Sequence, residues 1–142
     1  MCSYCGCRAI TMIGRLSTEH VEIINATVAL RRVALDGDGD AMTTAVAALA
    51  ALLDPHTTGE EQGLFAELRL NQEFAEHVDA LCAEHREIDT RLARVASGDH
   101  AEVDALENLL RRHIDKEENG IFPAAAVELD GDAWDRIQER AP

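Results

Sequence analysis

Histidine followed four positions later by glutamate occurs twice in this chain, as His56 with Glu60 and His113 with Glu117. On a helix, residues four apart stand one turn from each other on one face, so each pair offers an imidazole nitrogen and a carboxylate oxygen to a single point. Both pairs sit in longer matching segments, HTTGEEQGLF (56–65) and HIDKEENGIF (113–122), which share His, Glu, Glu, Gly and Phe at identical offsets. A second echo, EHVEI (19–23) and EHREI (84–88), adds His20 and His85 in the same order. Two ordered matches are hard to obtain by chance. The chain therefore reads as a duplicated helical hairpin, which suits a site built from two similar halves.

Turn signals define the helices that must carry these residues. The first follows Ser17 as N-cap and runs to about Leu35, where Asp36 to Asp40 forms a loop. The second starts near Asp40 and continues to about Leu70, with a kink or local change of helix at Pro55. The third follows Asn71 and ends near Ser97-Gly98. The fourth follows Asp99, which pairs with Glu102 as a capping box, and runs to about Leu129 with a bend at Pro123. A short helix around Trp134 packs across one end. Short connections between long helices make neighbours antiparallel, an all-α up-down four-helix bundle. Residues 1–16 form a Cys-containing segment and residues 17–142 the bundle domain.

Depth along the helices brings the histidines together. At ~1.5 Å per residue, His20 lies ~22 Å from the end of its helix and His56 ~24 Å from the start of the next. His85 and His113 lie ~18 and ~21 Å from their shared turn. One layer thus holds His20, His56, His85 and His113 with Glu60 and Glu117. Six such groups are costly to bury together without a partner, and two cations supply it. Imidazole plus carboxylate suits iron, zinc or manganese. No residue three before any histidine is acidic, so the Glu-x-x-His pairs of ferritin-like bundles are missing.

Bulk composition excludes other classes. A formal net charge of −14 repels nucleic acid and anionic membranes, so neither is an expected partner. No apolar run approaches the ~18–20 residues that span a bilayer. The opening residues lack the charged and apolar regions of a signal peptide, which implies a cytoplasmic protein. In that reducing setting Cys2, Cys5, Cys7 and Cys82 do not form a disulfide framework. Cys82 is expected in the core of the third helix.

The ordered set H…H-x3-E…H…H-x3-E, here His20, His56, Glu60, His85, His113 and Glu117, resembles the hemerythrin-like family, or HHE cation-binding domains. The resemblance covers residues ~17–129. It implies two Fe ions in an antiparallel four-helix bundle, with histidines as terminal ligands. Glu60 and Glu117 would then be bridging carboxylates beside an oxo or hydroxo group.

Two departures stand out. The oxygen carriers of the family have a fifth histidine one turn before the third-helix ligand, where this chain has Leu81. Their last carboxylate lies five residues after the final histidine, whereas here Glu117 stands at four and Glu118 at five. Either His77 supplies the missing ligand through a distorted helix or it is a polar neighbour, and the second is expected. His100, near a helix start, is expected in solvent. Glu61 and Glu118 are expected to face solvent or to orient ligand imidazoles.

A set short of one histidine leaves an open iron position, walled by Leu53, Leu64, Phe65 and Leu81. The leading expectation is turnover or sensing of peroxide, nitric oxide or oxygen, with small diatomic molecules or peroxide as partners. The alternatives are iron or oxygen sensing or storage without turnover, and iron donation to damaged centres, in which Cys2, Cys5 and Cys7 would take part.

Overall fold

The computed structural model describes residues 10–141. The expectations for Cys2, Cys5 and Cys7 fall outside them. Every regular element among the described residues is helical. The elements are α1 (Thr11–Asp36), α2 (Gly39–Gly59), a π-helical turn π1 (Glu60–Leu64), α3 (Phe65–Leu68), α4 (Gln72–Ala96), α5 (Glu102–Lys116), a second turn π2 (Glu117–Ile121), α6 (Phe122–Glu128) and α7 (Gly131–Arg140).

Helix α1 begins at Thr11, six residues before Ser17, the expected N-cap. Met12, Ile13, Leu16, His20, Ile23, Thr27 and Leu30 are all buried, so the inward stripe extends through Ser17 and carries the helix with it. Ser17 is itself buried and does not cap. The Asp-Gly run is shorter as a loop than expected. Gly37, at φ 74°, donates its N–H to the Val33 carbonyl (3.0 Å), and a glycine takes that left-handed conformation without a Cβ clash. Asp38 then caps α2, its carboxylate accepting from the N–H groups of Asp40 and Ala41.

Asn71 caps α4 as its position implies, accepting from the Glu73 N–H (3.0 Å). The capping box at Asp99 does not form. Helix α5 starts only at Glu102, and that carboxylate pairs with Arg91 (2.7 Å) and Arg94 (3.6 Å) instead. The segment around Trp134 is α7, capped by Asp130 on the Ala133 N–H.

Helix α1 packs against α2 and α5, and α4 against α5 and α2. The interior holds two apolar clusters. Leu16, Leu64, Phe65, Leu81, Phe122 and Ile137 belong to one, and Ile23, Leu30, Leu49, Leu53, Ile88 and Leu110 to the other. Each site histidine on α1, α4 and α5 falls in sequence between residues of the two clusters, as His20 does between Leu16 and Ile23. A polar layer thus separates two dry ones. No described helix is long and apolar enough to cross a membrane.

Candidate metal centre

Four helical segments deliver the layer. His20 comes from α1, His56 from the last turn of α2, His85 from α4 and His113 from the end of α5, while Glu60 and Glu117 open π1 and π2. All six expected residues converge, each histidine 3% exposed and each of these glutamates 0%. They form two overlapping groups whose donor atoms lie within 4.8 Å of one another. One group is His20, His56, Glu60 and Glu117, and the other is His85, His113, Glu60 and Glu117. The paired rings match across the halves: His20 and His56 have centroids 4.7 Å apart at 61°, His85 and His113 4.8 Å apart at 59°.

All four imidazoles turn Nε2 toward the two carboxylates. His20 Nε2 is 2.9 Å and His113 Nε2 3.2 Å from Glu117; His56 Nε2 is 3.3 Å and His85 Nε2 3.2 Å from Glu60. Their other nitrogens face outward onto a ring of further carboxylates. His56 Nδ1 meets Glu19 at 2.7 Å, His113 Nδ1 meets Glu84 at 2.8 Å, and His85 Nδ1 meets Glu61 at 3.0 Å. Glu118 lies 3.8 Å from His20 Nδ1 and accepts a 2.8 Å hydrogen bond from Ser17 Oγ. A carboxylate at Nδ1 keeps the proton there and leaves the Nε2 lone pair for a cation.

Both halves use the repeat with the same pattern of partners, and each serves the other. Phe122 stacks on His20 (5.6 Å between centroids, 2°) and Phe65 on His85 (5.9 Å, 15°). Within each repeat, the glutamate after the buried one reaches the other half's histidine: Glu118 toward His20, Glu61 toward His85. The π turns fall at the same motif position. The Phe65 N–H bonds to the Glu60 carbonyl, and the Phe122 N–H to that of Glu117, each five residues back. Pro55 lies inside α2, five residues before π1, and its counterpart in the second half is Arg112. The change of helix type expected at the proline therefore belongs to the motif. Pro123 sits in the first turn of α6, just after π2.

Sequence reasoning missed Glu19 and Glu84 as partners of the histidines, although both precede a site histidine in the E-H repeat. It also missed Ser17. The other two histidines stay outside. His77 is exposed, and Leu81, 1% exposed, fills the position of the absent fifth histidine with core packing. His100 is half-buried rather than solvent-exposed and lines a cavity of about 460 Å³ with Met42, Val46 and Val95 that contains no residue of the layer. Cys82 is in the core, where burial and then Glu61 push its thiol up to about 11.

Burial and charge act against each other throughout the layer. Burial pushes the imidazoles down, but the carboxylates outweigh it. Glu117 and Glu118 raise His20 to about 9, Glu60 and Glu19 raise His56 to about 10, and Glu117 raises His113 to about 9. His85 is also raised, chiefly by Glu60 against burial. The Glu60 carboxyl is held well below its usual range by His56, against complete burial. Even so, neither oxygen of Glu60 or Glu117 receives a hydrogen bond, and neither does Nε2 of His20 or His56. Buried acceptors left this way are costly. His85 Nε2 and His113 Nε2 face each other at 3.1 Å, the separation of two nitrogens each ~2.1 Å from one cation at right angles. The donor set fits a metal cation, and Glu60 and Glu117 belong to both groups that could hold one.

Fold and site together define a helical bundle with a duplicated, buried histidine–carboxylate centre. The model of the hemerythrin HHE cation binding domain matches residues 11–125, and the chain belongs to that family. Comparison with curated proteins and with solved structures returned no match.

Proposed function

We propose that this protein holds two iron ions and uses them to turn over or sense small oxidants: peroxide, nitric oxide or oxygen. In this reading His20 and His56 hold one ion, His85 and His113 the other, and Glu60 and Glu117 are shared. The observation that carries it is the pair of overlapping donor groups with Glu60 and Glu117 in common. The four helices α1, α2, α4 and α5 are read as an antiparallel bundle, since His20 and His56 meet across the two-residue turn at Gly37-Asp38.

Each ion would find two imidazoles and two carboxylate oxygens here, fewer donors than an octahedral ion accepts. Bound iron supplies Lewis acidity and one-electron exchange toward a small oxidant. The chain's own residues do the rest. Glu19, Glu61 and Glu84 fix the imidazole tautomers. Leu53, Leu64, Phe65 and Leu81, all at most 2% exposed, exclude water. Leu81 in place of a fifth histidine offers no lone pair, so the His85 side has one donor fewer. A surface hollow of about 210 Å³ is lined by His20 and Glu118 with Val21, Ile24 and Ile114.

Metal analysis joined to the near-ultraviolet spectrum tests the reading. About two irons per chain with ligand-to-metal absorption are expected, given the donor chemistry. Zinc at the same sites, which has no redox chemistry, refutes the redox reading, and manganese refutes iron as the metal. Iron-loaded protein that consumes neither peroxide nor nitric oxide faster than free iron removes turnover and leaves sensing or storage.

A further inference from the structure

Helix α7 lies beyond residues 11–125, the span that the family model matches, and carries none of the six layer residues. It nevertheless packs directly on π1, the turn that presents Glu60. Three contacts fasten it. Ile137, 0% exposed, and Ala141 join the apolar cluster of Leu64 and Phe65. Gly63 meets them so closely that a Cβ there would lie 3.1 Å from Ala141 Cβ, 3.2 Å from Ile137 Cγ2 and 3.3 Å from the Ile137 carbonyl. Glu67, 5% exposed, draws two arginines of α7 onto itself, Arg136 (2.5 Å) and Arg140 (2.6 Å).

The internal repeat supplies the comparison. The counterpart of Gly63 is Gly120, where among the described residues a Cβ would meet nothing closer than His77 at 4.0 Å. The counterpart of Glu67 is Ala124, which has no charge to pair. Among the described residues, the second half thus makes its π turn without such a cover. The first half's turn is pinned by a helix that returns from the far end of the chain.

We propose that α7 is a positioning element for the metal centre: Gly63, Glu67, Arg136 and Arg140 hold π1 so that Glu60 is presented to both groups, and cation binding and α7 docking strengthen each other. This rests on the reading of the layer as a metal site. Reciprocity is required, because a helix that stabilises the binding-competent turn must itself be stabilised by the cation.

The test compares Gly63→Ala with Gly120→Ala in the full chain, titrated with ferrous iron under anaerobic conditions against a competing chelator. Alanine favours helix over glycine, so lost affinity in Gly63→Ala cannot come from a weaker helix. Affinity at least about fivefold weaker is expected for Gly63→Ala, the lower end of ordinary coupling, and no change for Gly120→Ala. Arg136→Ala with Arg140→Ala should weaken iron binding similarly, and the double lysine replacement should restore part of it. Hydrogen exchange in α7 should slow when iron is added to wild type and slow less in Gly63→Ala. A purely structural cover would lower the melting temperature of the iron-free variants and leave both iron affinity and the iron effect on α7 exchange untouched. That result overturns the proposal while wild type still binds iron. Wild type that binds no ferrous iron overturns both it and the reading of the layer.

Discussion

The two buried glutamates and the four histidines differ in what their loss removes. Glu60 and Glu117 each belong to both donor groups, whereas each histidine belongs to one. Glu60→Ala or Glu117→Ala should therefore abolish both cations, while His56→Ala or His113→Ala should leave about one per chain, read by metal analysis after dialysis. Glu19 and Glu84 each reach the layer through one imidazole, while also pairing with Arg15 and Lys116. Glu19→Ala should weaken binding by about 10–100-fold without changing the stoichiometry at saturation. The imidazoles also set a pH dependence for the metal-free protein. His20, His56 and His113, at about 9 to 10 when folded, bind protons more tightly than in the unfolded chain. Their contribution to stability is complete below the unfolded value of ~6.5 and is lost as pH rises through the folded values. Glu60, held low, contributes above ~4.3 and loses that contribution as pH falls. The metal-free melting temperature should thus peak near pH 5–6.5 and decline toward pH 10. Added metal should flatten the alkaline decline, because the cation replaces those protons. Calorimetry across this range, with and without metal, checks both limbs.

At the scale of elements, helix ends and π turns do separate jobs. Asp38 caps α2 far along the chain from its metal-facing end, so Asp38→Ala should cost about 1 kcal/mol in chemical denaturation and leave metal content unchanged. The π turns act on the site itself. Each holds one glutamate in the layer and sends the next across to the other half's histidine. A phenylalanine five residues beyond the buried glutamate then reaches a ring of the opposite half. Phe122→Ala removes a fully buried ring and its stack on His20, with an expected cost of about 3–5 kcal/mol by chemical denaturation.

For the whole molecule, a polar layer lies between two apolar ones under a strongly acidic surface. Cations neutralise the buried carboxylates and add positive charge to a chain whose formal charge is −14. Metal binding and ionic strength therefore act in the same direction on stability. Raising salt from ~0.01 M to ~0.15 M shortens the screening length from ~30 Å to ~8 Å and should raise the metal-free melting temperature. Thermal melts over a salt series check this, and the increment should be smaller for metal-loaded protein.

What the sequence determined by itself is the layer. Helical rise is uniform, so counting residues to the nearest turns levelled His20 with His56 and His85 with His113, the two halves matching more loosely, and the i,i+4 spacing placed Glu60 and Glu117 beside them. Tertiary structure alone decided what surrounds them. Glu19 and Glu84 became imidazole partners only because α1 lies against α2 and α4 against α5. The start of α1 at Thr11 was set by packing of Met12 and Ile13, a contact with residues far along the chain that outweighs the local capping signal of Ser17. The failed capping box at Asp99 has the same origin, since arginines on another helix claim Glu102. Periodicity is local and legible, whereas partners distant in the chain are chosen by packing, and no spacing within one helix encodes them.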